Sequence, residues 1–116
     1  MKKILTAATI FALSLGANAM AGSHSKTIKM GIILGFTGPI ESLTPAMAAS
    51  AELAFKEASD SGSLLNGSKI EVVRADSTCV DSAAATAAAE GVISQGVAAI
   101  MGADCSGVTG AIASNV

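Results

Sequence analysis

The chain has 116 residues, a formal net charge of −2, one histidine, and neither tryptophan nor tyrosine, while 51% of its residues are hydrophobic. Such a composition, without a basic patch or stacking aromatics, argues against a nucleic-acid partner. Beyond the N-terminus no run of 18 apolar residues suits a membrane span.

Residues 1–19, MKKILTAATIFALSLGANA, read as a cleavable signal peptide. Lys2 and Lys3 form its charged start, and the apolar stretch from Ile4 to Gly16 is too short to cross a bilayer. Ala17 and Ala19 are the small residues a signal peptidase requires, and Ala19 and Ala21 offer a second cleavage site after residue 21. No cysteine follows the leader to carry an acyl anchor, so a periplasmic location without a membrane anchor is expected. Loss of Lys2 and Lys3 would leave five basic against nine acidic residues. Residues 20–27 read as a flexible lead-in, which holds the lone His24. The mature remainder has only Phe36 and Phe55 as aromatics, marginal for an independent core.

Ile28 to Leu34 forms a largely apolar first strand, as expected of a strand buried on both faces. A loop from Gly35 to Leu43 follows, with Gly38-Pro39 as its turn signal. Thr44-Pro45 reads as N-cap and first residue of a helix reaching Asp60, with a packing face of Met47, Ala51, Leu53, Ala54, Phe55 and Ala58. Ser61-Gly62 ends it. Lys69 to Ala75 is a second strand, near a sheet edge. Asp81 or Ser82 caps a second helix over Ala83 to Gln95, stopped by Gly96. Gly91 inside that helix has no reason visible in the sequence. Val97 to Met101 is a third strand, and Gly107 to Val116 begins a third helix.

This alternation predicts an α/β fold, a doubly wound parallel sheet with right-handed crossovers. The last helix lacks a stop signal, and the chain reads as the first third of a larger α/β protein. In such folds ligands sit beyond the carboxyl ends of the strands, which here means Gly35–Leu43, Asp76–Asp81 and Gly102–Thr109.

Three enzyme-like signals are present. Gly35-Phe36-Thr37-Gly38 with Asp76 mimics a dinucleotide site, but no G-x-G-x-x-G exists and the loop is too long for the tight turn. Gly62 to Lys69 mimics a P-loop, but the lysine is one place late and the segment precedes a strand. Cys105, in GADCSG, resembles a nucleophile elbow, yet no histidine between Lys26 and Val116 could activate it. Two cysteines at strand ends of an exported chain instead favour a Cys79–Cys105 disulfide, provided that the second and third strands flank the first. A base supplied from beyond residue 116 keeps the nucleophile as the alternative.

The segments IKMGIILGFTGPIESLTPAMAASAELAFKEA, KIEVVRADSTCVD and GVAAIMGADCSGVTGAIASNV resemble the start of a type I periplasmic solute-binding protein. Most similar among these are the branched-chain amino-acid (leucine/isoleucine/valine) receptors of ABC importers. The resemblance covers residues 28–116, which it makes the first part of an N-terminal α/β lobe, incomplete, of a two-lobe protein closing on its ligand. It implies capture of a small amino-acid-like solute and its delivery to an inner-membrane permease, without catalysis and without a cofactor. It also implies a Cys79–Cys105 bridge at the pocket wall and a Ser106 hydroxyl that holds the ligand α-carboxylate together with helix N–H groups. Leu43, beside Ser42, stands where the family presents an aromatic, and Asp104 stands where it has an apolar residue facing the ligand side chain. Facing inward, Asp104 suits a polar, amide-bearing or cationic ligand; facing outward it is a solvated acid. Ser42, Leu43, Asp104, Ser106 and Thr109 are the candidate ligand-binding residues. The competing functions are an exported hydrolase with Cys105 as nucleophile and a sensory module built on the same two-lobe fold.

Overall fold

The computed structural model describes residues 26–116. The signal peptide over 1–19, most of the lead-in and His24 lie outside these residues. The described elements run β1 (Thr27–Leu34), α1 (Thr44–Asp60), β2 (Lys69–Asp76), α2 (Ser82–Ser94), β3 (Ala99–Gly102) and α3 (Ser106–Asn115). All strands are parallel, in the order β2-β1-β3. Thr27, expected in the lead-in, already pairs with Lys69 in β1.

β1 is central, and its apolar run Ile32-Ile33-Leu34 is 0–1% exposed. Successive side chains of a strand point to opposite faces, so this one run feeds two cores. Ile32 and Leu34 pack with Ala48, Ala51 and Phe55 of α1. Ile33 packs on the other face with Ala89 and Val92 of α2 and Ile112 of α3. The chain leaves β1 to one side and returns past it to the other, so helices on opposite faces give both crossovers the same hand.

The approach of α2 to the sheet explains a glycine within the central strand. A Cβ at Gly31 would lie 2.6 Å from Val92 Cγ1 and 3.0 Å from Ile100 Cγ1. Gly91 is the opposite case, exposed on α2 with open space at its Cβ position. Gly91→Ala is therefore expected to raise stability by about 0.5–1 kcal/mol, because alanine loses less backbone entropy in a helix. An unchanged or lower denaturation midpoint would contradict this.

The packing face of α1 differs from the expected one. Met47 and Leu53 are 42% and 56% exposed, and Ala54 is exposed as well. The expected Ala51 and Phe55 do pack on the sheet, and the seam continues through Thr44, Ala48 and Ser59 in place of Met47, Leu53 and Ala54. Polar anchors set this phase. Thr44 is buried and donates its hydroxyl to Gly35 O at 3.1 Å, and Ser59 Oγ accepts the Ile70 N–H at 2.9 Å. Thr44 is consequently not the N-cap: Leu43 holds that place without a side-chain cap, and Pro45 still lies in the first turn.

α2 begins as expected, with Asp81 Oδ1 accepting from Ala83 N at 2.9 Å and Ala84 N at 3.0 Å. β3 is shifted two residues at its start and one at its end, because Val97 packs into the α2-side core while Gly102 pairs with Ile33. The P-loop mimic lies between α1 and β2, and Leu65 and Asn66 there help line a depression of about 420 Å³ at the amino ends of the strands, with Lys26 and Lys29. None of the described helices is long and apolar enough to cross a membrane.

Candidate functional site

At the carboxyl ends of the strands, three loops converge over β1. Because β2 and β3 flank β1, the loops after them face each other across it. Cys79 and Cys105 form a disulfide there, with Cα atoms 5.3 Å apart. Gly35 lies directly beneath, where an added Cβ would be 3.1 Å from Cys79 Cβ. Both cysteines are bonded and no free cysteine remains among the described residues. A disulfide sulfur is no nucleophile, so the elbow reading of Cys105 does not hold in this structure.

Two carboxylates pin the first loop from either side. Asp104, from the loop after β3, accepts the Gly35 N–H through both oxygens at 3.1 Å. Asp76, at the end of β2, accepts the Thr37 hydroxyl at 2.6 Å, the Thr78 N–H at 2.8 Å and the Thr37 N–H at 3.3 Å. Partial burial works to raise the Asp76 pKa, but the bonds from Thr37, Thr78 and Phe36 together outweigh it and hold the carboxyl below its ordinary range.

A depressed folded-state pKa stabilises the fold above the unfolded value of 3.8, and that stability is lost as pH falls through the folded value. Melting curves from pH 6 downward, in salt that screens the exposed Lys56–Asp60 and Arg74–Glu52 pairs, are expected to drop below about pH 4. Asp76→Asn should flatten that drop; an identical profile in the variant would dismiss the role.

The second loop is held in an uncommon conformation. Thr78 and Cys79 have φ of +58° and +71°, the left-handed region that non-glycine residues avoid. The disulfide and the bond from Thr78 N to Asp76 hold this turn. Gly38 of the first loop meets it with φ +97°, its Cβ position only 2.5 Å from Thr78 O.

The helix starts on this rim differ in what they leave free. Asp81 caps α2, whereas α3 follows Cys105 with no side-chain cap. Ser106 is its first residue and is exposed, and an added Cβ at the next residue, Gly107, would meet open space. The start of α3 is thus left without a side-chain cap beside the exposed Ser106 hydroxyl, and unpaired N–H groups at a helix start favour negative charge.

The other expected ligand residues are placed as follows. Thr109 turns its hydroxyl to Ala103 O at 2.7 Å and Cys105 O at 2.9 Å, bracing the loop. Leu43 is 60% exposed and Ser42 is exposed, both on the turn before α1. No hydrogen bond among the described residues joins either to the Asp104–Ser106 loop. Asp104 is half-buried and latched to Gly35. The latching role of Asp76 was missed, although Asp76-Ser77-Thr78 carries the signal of an aspartate turn that accepts an N–H two residues on. Among the described residues no group of three or more metal-ligating side chains occurs.

A family model described as "Periplasmic binding protein" matches residues 27–116. Among solved structures, the chain is similar to the branched-chain amino acid transporter substrate binding protein LivJ from Streptococcus pneumoniae, determined in complex with isoleucine. That match has 32% identity and a TM-score of 0.68, covering 78% of this chain and 26% of that one. The chain thus spans about a quarter of the length of that relative. No curated protein matches.

Proposed function

The chain belongs to the periplasmic binding protein family, and from that premise we propose that it is the ligand-capturing component of an ABC importer for a small amino-acid-like solute. In this reading residues 28–116 are part of the first of two lobes. The α-carboxylate rests on the start of α3 and on the Ser106 hydroxyl, and closure of a second lobe completes the site. Leu43, Ser42 and Thr109 contribute to the rim, and the loaded protein hands its ligand to an inner-membrane permease. The protein makes and breaks no bond. The similarity to a receptor determined with isoleucine supports the ligand class.

One observation carries this reading: the uncapped start of α3, with Ser106 exposed beside the disulfide over the central strand. Calorimetry of the full-length protein against a panel of amino acids and their amides is expected to find a stoichiometric ligand. Ser106→Ala should weaken it about tenfold or more, the worth of a hydrogen bond to a charged group. Silence across the whole panel, or an unaffected S106A, would overturn the proposal.

A further inference from the structure

The segment from Gly62 to Lys69, which mimics a P-loop in sequence, carries chemistry of another kind. Of the three asparagines in the chain, only Asn66 precedes a glycine. Asparagine is a thermolabile residue, because the backbone nitrogen of the next residue can attack its side-chain amide. The structure leaves that attack open here. Asn66 is exposed, and its side chain makes no hydrogen bond among the described residues. The Gly67 N–H donates to no acceptor among the described residues either. The bonds that close this turn run past it, from Ser68 N to Leu64 O at 2.8 Å and from Ser68 Oγ to Leu65 O at 2.7 Å. Gly67 has no side chain to shield its nitrogen, and its Cβ position is uncrowded, with Gly62 O nearest at 3.8 Å. Asn115 is the contrast: its side-chain amide donates to Ala111 O at 2.7 Å within α3, and the branched Val116 follows it.

We propose that Asn66 is a site of spontaneous deamidation in the folded protein. The Gly67 nitrogen gives its proton to solvent and attacks Asn66 Cγ. A succinimide ring closes as the bond from Cγ to the side-chain nitrogen breaks, and ammonia leaves with a proton from solvent. Water then opens the ring. Addition at Cγ gives aspartate in the original chain, and addition at the backbone carbonyl carbon gives isoaspartate, with the chain running through the side chain. Nothing is oxidised or reduced, and a neutral amide becomes a carboxylate. That carboxylate arises in the depression at the amino ends of the strands, which Asn66 lines together with Lys26 and Lys29. Neither lysine has an ion-pair partner among the described residues, so the new charge meets opposite charge there. The disulfide-bonded rim lies at the other ends of the strands, and this inference is independent of the receptor reading.

The test incubates the full-length protein at mildly alkaline pH, both folded and in guanidinium, and follows each asparagine by peptide mapping, with isoaspartate-specific methylation to identify the product. In the folded protein Asn66 is expected to convert about tenfold faster than Asn115 or more, with first-order kinetics and isoaspartate in the product. In guanidinium the Asn115 rate should rise as its helix is lost, while the Asn66 rate should change little. Asn66→Gly suits the φ of +62° at this position and should remove the corresponding acidic form from ion-exchange profiles of the folded protein. An Asn66 peptide that converts no faster than that of Asn115, or converts only in guanidinium, would overturn the inference. So would an acidic form that persists undiminished in N66G.

Discussion

Replacing Cys79 and Cys105 together by serine is expected to lower the unfolding free energy by about 3.5 kcal/mol, the loop-closure entropy of a crosslink over 26 residues of sequence separation. The loss should exceed that of any other surface change in these loops, because the sheet presents only three strands among the described residues. Its local effect follows from backbone strain. Thr78 and Cys79 hold left-handed conformations that cost about 1–3 kcal/mol each and persist only under constraint. Without the bridge the second loop relaxes, Asp104 and Ser106 lose their fixed neighbour, and ligand affinity falls with stability. Guanidinium denaturation of the oxidised protein, the reduced protein and the double serine variant should give one high midpoint and two lower ones. Equal midpoints for oxidised and reduced protein would show that the bridge does not form.

Gly38→Ala is expected to cost about 3 kcal/mol, for two reasons that act together. At φ +97° a side chain is strained whatever the space. Here the space is also missing, since the new Cβ would lie 2.5 Å from the Thr78 carbonyl oxygen, a backbone atom that cannot step aside alone. The first loop must then lift off the second and break the Thr37–Asp76 bonds. Both the denaturation midpoint and the ligand affinity should fall. A variant as stable as the parent would mean that the two loops do not touch as described.

Much of this was legible in the sequence because it rests on local physics. The apolar run Ile32-Ile33-Leu34 marks a strand buried on both faces, and Asp81 marks a helix start because its carboxylate satisfies the N–H groups of Ala83 and Ala84. The pairing of Cys79 with Cys105 followed once β2 and β3 were placed on either side of β1. The phase of α1 was not legible. Ala51 and Phe55 were read correctly, but apolar Met47 and Leu53 compete on equal terms with Ala48 in a pattern count, and the choice fell to Thr44 and Ser59, whose hydrogen-bond partners Gly35 and Ile70 lie in other elements.

The same division runs through the site. The sequence by itself determined the order of elements, the parallel α/β class and the three loops where a ligand can sit, since each depends on neighbours within a few residues. Only the tertiary structure decided what the side chains on that rim do. Asp76 and Asp104 look alike in sequence, two acids at strand ends. One is wrapped by the donors of Thr37 and Thr78, while the other holds a single N–H from Gly35. That difference is set by which loop crosses above the central strand, a distance in space between residues 69 apart in the chain. No local pattern can encode it, because the free energy of a carboxylate depends on the donors that folding brings to it.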